Sequence, residues 1–328
     1  MNRRILFLLM SALLLAANGC SMSQKAKEAN KDRVKIGIML SDAGLGDQSF
    51  SDAGFAGLEK AREELNIAFD YRELEESKSY ENGLEALVKE RNDLVIGLGF
   101  SMQEAIEKTA KKYPEQQFLL IDSTSKLPNV HSITFKEEEG SYLIGAIAGM
   151  NTKSNIVGFI GGVDVQLIRK FEKGFIEGVK GVNPKAKVVS RFAGSFGDDK
   201  LGAELARKMI KEGADHIYPA AGFTGVGVLL ESQRAGIYSF GVDSDQFYLA
   251  EKAVVTSMMK QVDVAIYNAV KEVVNKKELT QKNSQLGIKE DGVGLAPIRV
   301  ISLTPEQEDK LNDLKEKLSD GSITVLPN

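Results

Sequence analysis

VKIGIMLSDAGLGDQSF, residues 34–50, decides how the chain is read. Val34 to Leu40 is an apolar run with β-branched residues, the pattern of a strand buried on both faces. Ser41 to Phe50 then breaks into Gly, Asp and Ser. A helix pattern follows at once, with Phe55, Leu58, Ala61 and Leu65 at helical spacing. Strand, polar turn and helix, in that order, open a βαβ unit. Open α/β sheets bind ligands just past the carboxyl ends of their strands, so this loop is the first candidate binding element.

The alternation continues outward. Strands are expected at 67–71, 93–98 and 118–121, with helices over 52–65 and 80–91 and another after Gly99-Phe100, where Ser101 and Glu104 make a capping box. A second block repeats the scheme, with strands at 131–135, 156–160, 187–192, 216–219 and 238–242. Its helices cover 138–150, packed close through small residues, 166–180 and 198–212. A helix is expected near 260–276 and strand-like pieces near 285–301. Thr304-Pro305-Glu306-Gln307 opens the last helix with a capping box and proline at the first helical position. Two such blocks and a tail that returns to both argue for two α/β lobes with a cleft between them.

The totals fit a globular body: 328 residues, 43% hydrophobic and 27% charged. A formal net charge of −4 argues against a nucleic-acid surface, which needs a basic stripe. Ahead of the first strand, Asn2-Arg3-Arg4 is a basic head and Ile5 to Ala17 an apolar stretch too short to span a bilayer, the layout of a signal peptide. Cys20, the sole cysteine, follows the small Gly19, which resembles a bacterial lipobox, although Ala17 stands where a bulkier aliphatic residue is usual. Residues 1–19 are then a lipoprotein signal peptide and Cys20 the lipidation site. Residues 20–33 read as a lipid-anchored flexible tether. The expected location is the extracytoplasmic face of the cell membrane, held by lipid alone.

Catalytic motifs are missing. Anchoring consumes the one thiol, and His131 and His216 read as structural. The sequence contains no HExxH, no metal-spaced Cys/His set and no GxxxxGK[ST]. Gly44-Leu45-Gly46 lacks the third glycine of a dinucleotide fingerprint, Ser49 standing in its place. The expectation is a protein that is not an enzyme, with no cofactor and no metal.

What the strand ends offer is polar groups interleaved with aromatics. The first loop supplies Asp42, Asp47, Ser49 and Phe50, the third strand Gly99 and Phe100, and the fourth Asp122. In the second block Phe223 lies between Gly222 and Thr224-Gly225, and Asp243 follows the strand at 238–242. Lys260 opens a predicted helix, where the macrodipole disfavours a cation. Each has a plainer reading: Phe50 as a hydrophobic staple, Asp122 as an N-cap, Lys260 as a solvated cation. Two aromatics facing across a cleft would sandwich a flat ligand, each face contributing roughly 1–3 kcal/mol by analogy with base stacking. Carboxylates nearby would accept from vicinal hydroxyls, as a ribose presents. A stack with a diol clamp points to a nucleoside.

SDAGLGDQSF, KFEKGFIEGVKGVNP, YPAAGFTGVGV, GVDSDQ and TSMMKQVDVAIYNAV, in that order, resemble the basic membrane protein family of bacterial lipoproteins, over about residues 34–301. The resemblance implies a type I periplasmic-binding-protein-like fold, with lobe 1 formed by residues 34–124 and 247–280, lobe 2 by 125–246 and 281–302, and a C-terminal helix and tail at 303–328. It also implies a monomeric receptor that delivers a nucleoside, by family precedent a purine one, to the permease subunits of an ABC importer. Asp47, Ser49 and Phe50 match the family's first loop, Phe223 its second stacking aromatic, Asp243 its ribose-binding aspartate and Lys260 its binding lysine. Ser51 stands where the family usually has asparagine, which removes an amide able to pair with a base edge. Readings of other classes stay open: a regulatory lipoprotein like the Med regulators of competence, a binder of another furanose-containing molecule, or a secreted nucleoside hydrolase.

Overall fold

The structure, a computed structural model, describes residues 33–325. The signal peptide, Cys20 and nearly all of the tether lie outside the described residues. Two six-stranded sheets form the body. The first holds β1 (Lys35–Met39), β2 (Ala68–Arg72), β3 (Leu94–Leu98), β4 (Gln117–Ile121), β5 (Val130–Phe135) and β11 (Asn283–Leu286), ordered β11-β5-β4-β3-β1-β2. The second holds β6 (Ile156–Gly161), β7 (Lys187–Phe192), β8 (His216–Ala220), β9 (Tyr238–Asp243), β10 (Val254–Lys260) and β12 (Val293–Leu295), ordered β12-β10-β9-β8-β6-β7. All pairings are parallel except β10 with β12. The two orders correspond strand for strand, so β4 answers β9 and β5 answers β10. Helices flank both sheets, and β3, a continuous apolar run, and β8 are buried along their whole length.

Strand pairing corrects the lobe boundaries. β5 pairs with β4 and β11 with β5, so both belong to the first lobe, whereas β10 pairs with β9 in the second. The chain therefore crosses between lobes after β5, after β10 and between β11 and β12, not at 124/125, 246/247 and 280/281. A strand's own pattern reports that it is buried but not which neighbour it pairs with. VVTSMMK, which the sequence does not mark as a strand, forms one. It is β10, and Lys260 ends it two residues before the helix Val262–Lys276 begins. The capping box at Thr304 forms as expected, Gln307 N donating to the threonine hydroxyl and Gln307 Oε1 accepting from Thr304 N at 2.9 Å. The Ser101–Glu104 box does not. A 3₁₀ turn covers Phe100–Met102, and the Ser101 hydroxyl donates to Tyr80 instead.

The helix Glu137–Asn151, nearly all buried, packs along Gln166–Val182 through small residues. A Cβ on Gly145 would sit 2.2 Å from the Phe175 carbonyl oxygen, and one on Gly178 2.0 Å from that of Tyr142. Both obstacles are backbone, so neither can turn aside. Gly178→Val should force the helices apart and cost about 3 kcal/mol or more, seen as a lowered denaturation midpoint.

Candidate functional site

The loop after β1 is built around one carboxylate. Asp47, 2% exposed, accepts from the backbone N–H of Ser49 at 2.9 Å, Ser51 at 2.7 Å and Asp52 at 3.2 Å, satisfying the open end of the helix Phe50–Leu65. Burial pushes its carboxyl up to about 6 while these three donors pull it down. Asp52 reaches back to Gly46 N and Gln48 N, at 2.7 and 3.0 Å. The turn is locked by its own side chains, and the helix dipole end that would attract a phosphate is already capped. Phe50, the first residue of the helix, thereby points its ring at the cleft.

Asp122 directly follows β4, and Asp243 ends the corresponding β9. Both are non-glycine residues in the left-handed region, φ 66° and 65°, and both are buried. Such strain persists only where the surroundings impose it, and it concentrates at functional positions. Each turns its carboxylate from the end of a strand into the space between the sheets. Lys260, 2% exposed at the end of β10, extends its ammonium between them, 2.6 Å from Asp122 and 3.1 Å from Glu137. The same ammonium lies 5.0 Å from the ring centres of both Phe50 and Phe135. Burial disfavours its charge, but Asp122, Glu137 and Asp243 outweigh that and hold it above the ordinary lysine range. Burial likewise pushes Asp122 up to about 6, against the pull of Lys260, and raises Asp243. Lys170 meets the other oxygen of Glu137 at 2.8 Å. Asp122 Oδ1 is buried with no hydrogen-bond partner among the described residues, and Glu137 Oε1 meets Lys260 only as an ion pair.

These groups line a cavity between the lobes enclosing about 630 Å³, open solvent at its mouth included. Asp42, Asp47, Phe50, Gly99, Phe100, Asp122, Asp243 and Lys260 all line it. Ser49 does not line it, and its hydroxyl donates to Asp243 across the cleft. Phe223 and Gly225 do not line it either. Phe223 begins the helix Phe223–Ala235, and Gly225 lies over Pro219, 3.3 Å from where a Cβ would be. Helix initiation at Gly222 (φ 54°) leaves the aromatic wall of the second lobe to Phe171 and Phe196. Phe171 has the helical spacing of a core residue and Phe196 sits in the turn after β7, so the sequence singles out neither. Glu137 was missed for a related reason: acids in a helix's first turn are usually solvated, and only the fold buries this one.

The lobes also meet beside the cavity. Gln48 accepts at its carbonyl from Ser244 Oγ at 3.3 Å and Gln246 Nε2 at 2.8 Å, and its amide oxygen accepts from Tyr248 at 2.5 Å. First-lobe loop and second-lobe strand end are thus stitched over the site.

A family model described as "ABC transporter substrate-binding protein PnrA-like" matches residues 34–326. The chain belongs to the basic membrane protein family. This is a family of ABC-transporter solute-binding proteins, binders and not catalysts. Basic membrane protein relatives include the "ABC transporter nucleoside-binding protein BmpA" of Lactococcus lactis, 30% identical over 99% of both chains. The "CD4+ T-cell-stimulating antigen" of Listeria monocytogenes is 31% identical over 96% of this chain and 95% of its own. A solved ABC transporter solute-binding protein from Aeropyrum pernix aligns at a TM-score of 0.82 with 27% identity, covering 90% of this chain and 94% of its own. The architecture is the type I periplasmic-binding-protein-like fold. Among the described residues no helix is long and apolar enough to cross a membrane, and no group of three or more His, Cys, Asp or Glu side chains is placed to hold a metal ion.

Two consequences follow from the buried charges. Lys260→Met strands the carboxylates of Asp122 and Glu137 and should cost about 3–5 kcal/mol, measured by chemical denaturation. Asp122 is raised above its unfolded value of 3.8, so its contribution to stability is complete below that value and lost as pH rises through about 6. Stability attributable to it should therefore increase from pH 7.5 to pH 5. Asp122→Asn should abolish that part of the increase, as denaturation midpoints at the two pH values will report.

Proposed function

We propose that the protein captures a nucleoside, by its family resemblance a purine one, between its lobes and delivers it to an ABC importer. The carrying observation is the pairing of aromatic walls from both lobes with buried aspartates at the two corresponding strand ends. Phe50 and Phe100 face the cavity from one side, Phe171 and Phe196 from the other. A base between such faces gains stacking on each side, roughly 1–3 kcal/mol per base. Asp122 and Asp243 are acceptors for ribose hydroxyls, and the unpaired Asp122 Oδ1 is the kind of buried group whose cost a ligand hydroxyl would relieve. Lys260 pulls both carboxylates toward the ionised, accepting form, against the push of burial. The Lactococcus lactis relative, named for nucleoside binding, supports the same ligand class. The contacts of Gln48 and Ser49 with the second lobe support capture by closure of the two lobes on the ligand.

Calorimetric titration with guanosine, adenosine, inosine and cytidine tests the reading, and no heat with any of them sinks it. Phe50→Ala should weaken nucleoside binding at least tenfold, whereas Phe223→Ala should leave it unchanged. For anchoring through Cys20, Cys20→Ser should move the protein from the membrane fraction to the soluble one.

A further inference from the structure

The turn that carries Phe196 is held from outside itself. At one end Ala193 N and Gly194 N continue the β6–β7 pairing, donating to the Gly161 and Gly162 carbonyls at 2.9 and 2.8 Å. At the other end the helix Asp199–Lys211 begins. Between them a Cβ on Gly194 or Gly197 would meet nothing within 4 Å, so the backbone is open on that side. On the opposite side stands Thr224, wholly buried in the first turn of the helix Phe223–Ala235. Its hydroxyl accepts from Asp198 N at 2.8 Å and donates to the Ser195 carbonyl at 3.1 Å. Its backbone N–H donates to the Phe196 carbonyl at 3.0 Å. The Phe196 ring then lies against Gly162, where a Cβ would come within 2.3 Å of two ring carbons. Thr224 is itself a fixed support. A Cβ on Gly202 would sit 1.9 Å from its carbonyl oxygen, so the two helices meet there backbone to backbone.

We propose that Thr224 is a positioning residue that holds the Phe196 wall in the cavity. For the choice of ligand this rests on the nucleoside reading above. Thr224 does not line the cavity, so it acts through Phe196 and not by contact with what is bound. A ring contributes its full stacking face only when it already stands where the base arrives. A ring on a loose turn must be ordered by the ligand, and that ordering is subtracted from affinity. The threonine hydroxyl has one workable arrangement here, because a backbone N–H only donates and a carbonyl only accepts. Serine can make the same two bonds. Valine, of nearly the same shape, can make neither and leaves Ser195 O and Asp198 N without this partner. The Gly222-Phe223-Thr224-Gly225 segment thus serves the cavity through its threonine, although its phenylalanine lies outside.

The test combines titration calorimetry with inosine and fluorine NMR of protein labelled with fluorophenylalanine, in which Phe196→Leu identifies the Phe196 resonance. Phe196→Ala should weaken binding about tenfold or more. Thr224→Val should weaken it about threefold or more, yet by no more than Phe196→Ala does. In a Phe196→Ala background Thr224→Val should cause no further loss, since the two act as one unit. Thr224→Ser, which keeps the hydroxyl, should restore affinity to within about twofold of the wild type. The Phe196 resonance should shift or broaden in Thr224→Val and stay in place in Thr224→Ser. A Thr224→Val protein with a cooperative melt and wild-type affinity overturns the proposal. So does an equal loss from Thr224→Val with and without Phe196, or a Phe196 resonance that does not respond. If Thr224→Val does not fold, exchange of the Asp198 amide in the wild type decides. Protection of about tenfold or more supports the clasp, and exchange at the free-peptide rate overturns it. A wild type that binds no nucleoside removes the nucleoside reading, and the fluorine spectra and amide exchange still decide whether Thr224 holds Phe196.

Discussion

The Lys260 ammonium is the point on which the two lobes are organised. It ends β10, immediately before the chain crosses to the first lobe, and it pairs with Asp122 from that lobe and with Glu137 at the crossing that follows β5. Two of the chain's crossings are thus joined through one buried cation. A buried ion pair gains little net stability over an apolar contact, because the desolvation of both charges offsets their attraction. Its value here is geometric. With Phe50, Phe135 and Phe171 around the ammonium, a shifted register at either crossing would leave a charge in an apolar wall without its partner.

The site inherits a two-fold logic from the sheets. Because the strand orders correspond, Asp122 and Asp243 occupy the same place in the two lobes and share the same left-handed backbone. Each lobe contributes one strained carboxylate and a pair of phenylalanines. Departures from the symmetry define the ligand side. Asp47 belongs to the first lobe, where the turn after β1 is held rigid by carboxylate-to-backbone bonds. The second lobe presents Ala220, Ala221 and Gly222, small residues that leave room against that wall.

Stacking faces and acceptors would position a ligand without transforming it. Asp122 is engaged by Lys260, Asp243 by Ser49 and Asp47 by backbone N–H groups, and the two histidines are elsewhere, His131 bonding the Gln281 carbonyl and His216, at the start of β8, bonding Asp215. That arrangement agrees with a family of solute-binding proteins.

The sequence by itself determined the α/β alternation, the two lobes and the strand-end carboxylates. These are local properties: apolar runs, helical spacing, Gly-rich turns and capping residues act within a few positions of themselves. It also marked Asp47, Phe50, Asp243 and Lys260. Tertiary structure alone decided which strands are neighbours, and with them the lobe boundaries, because pairing is set by contacts far apart in the chain. It alone turned Phe171 and Phe196 into cavity walls in place of Phe223, buried Glu137, and placed Lys260 at the end of a strand. A side chain's spacing states that it will be buried, whereas which surface it is buried against depends on how distant elements pack.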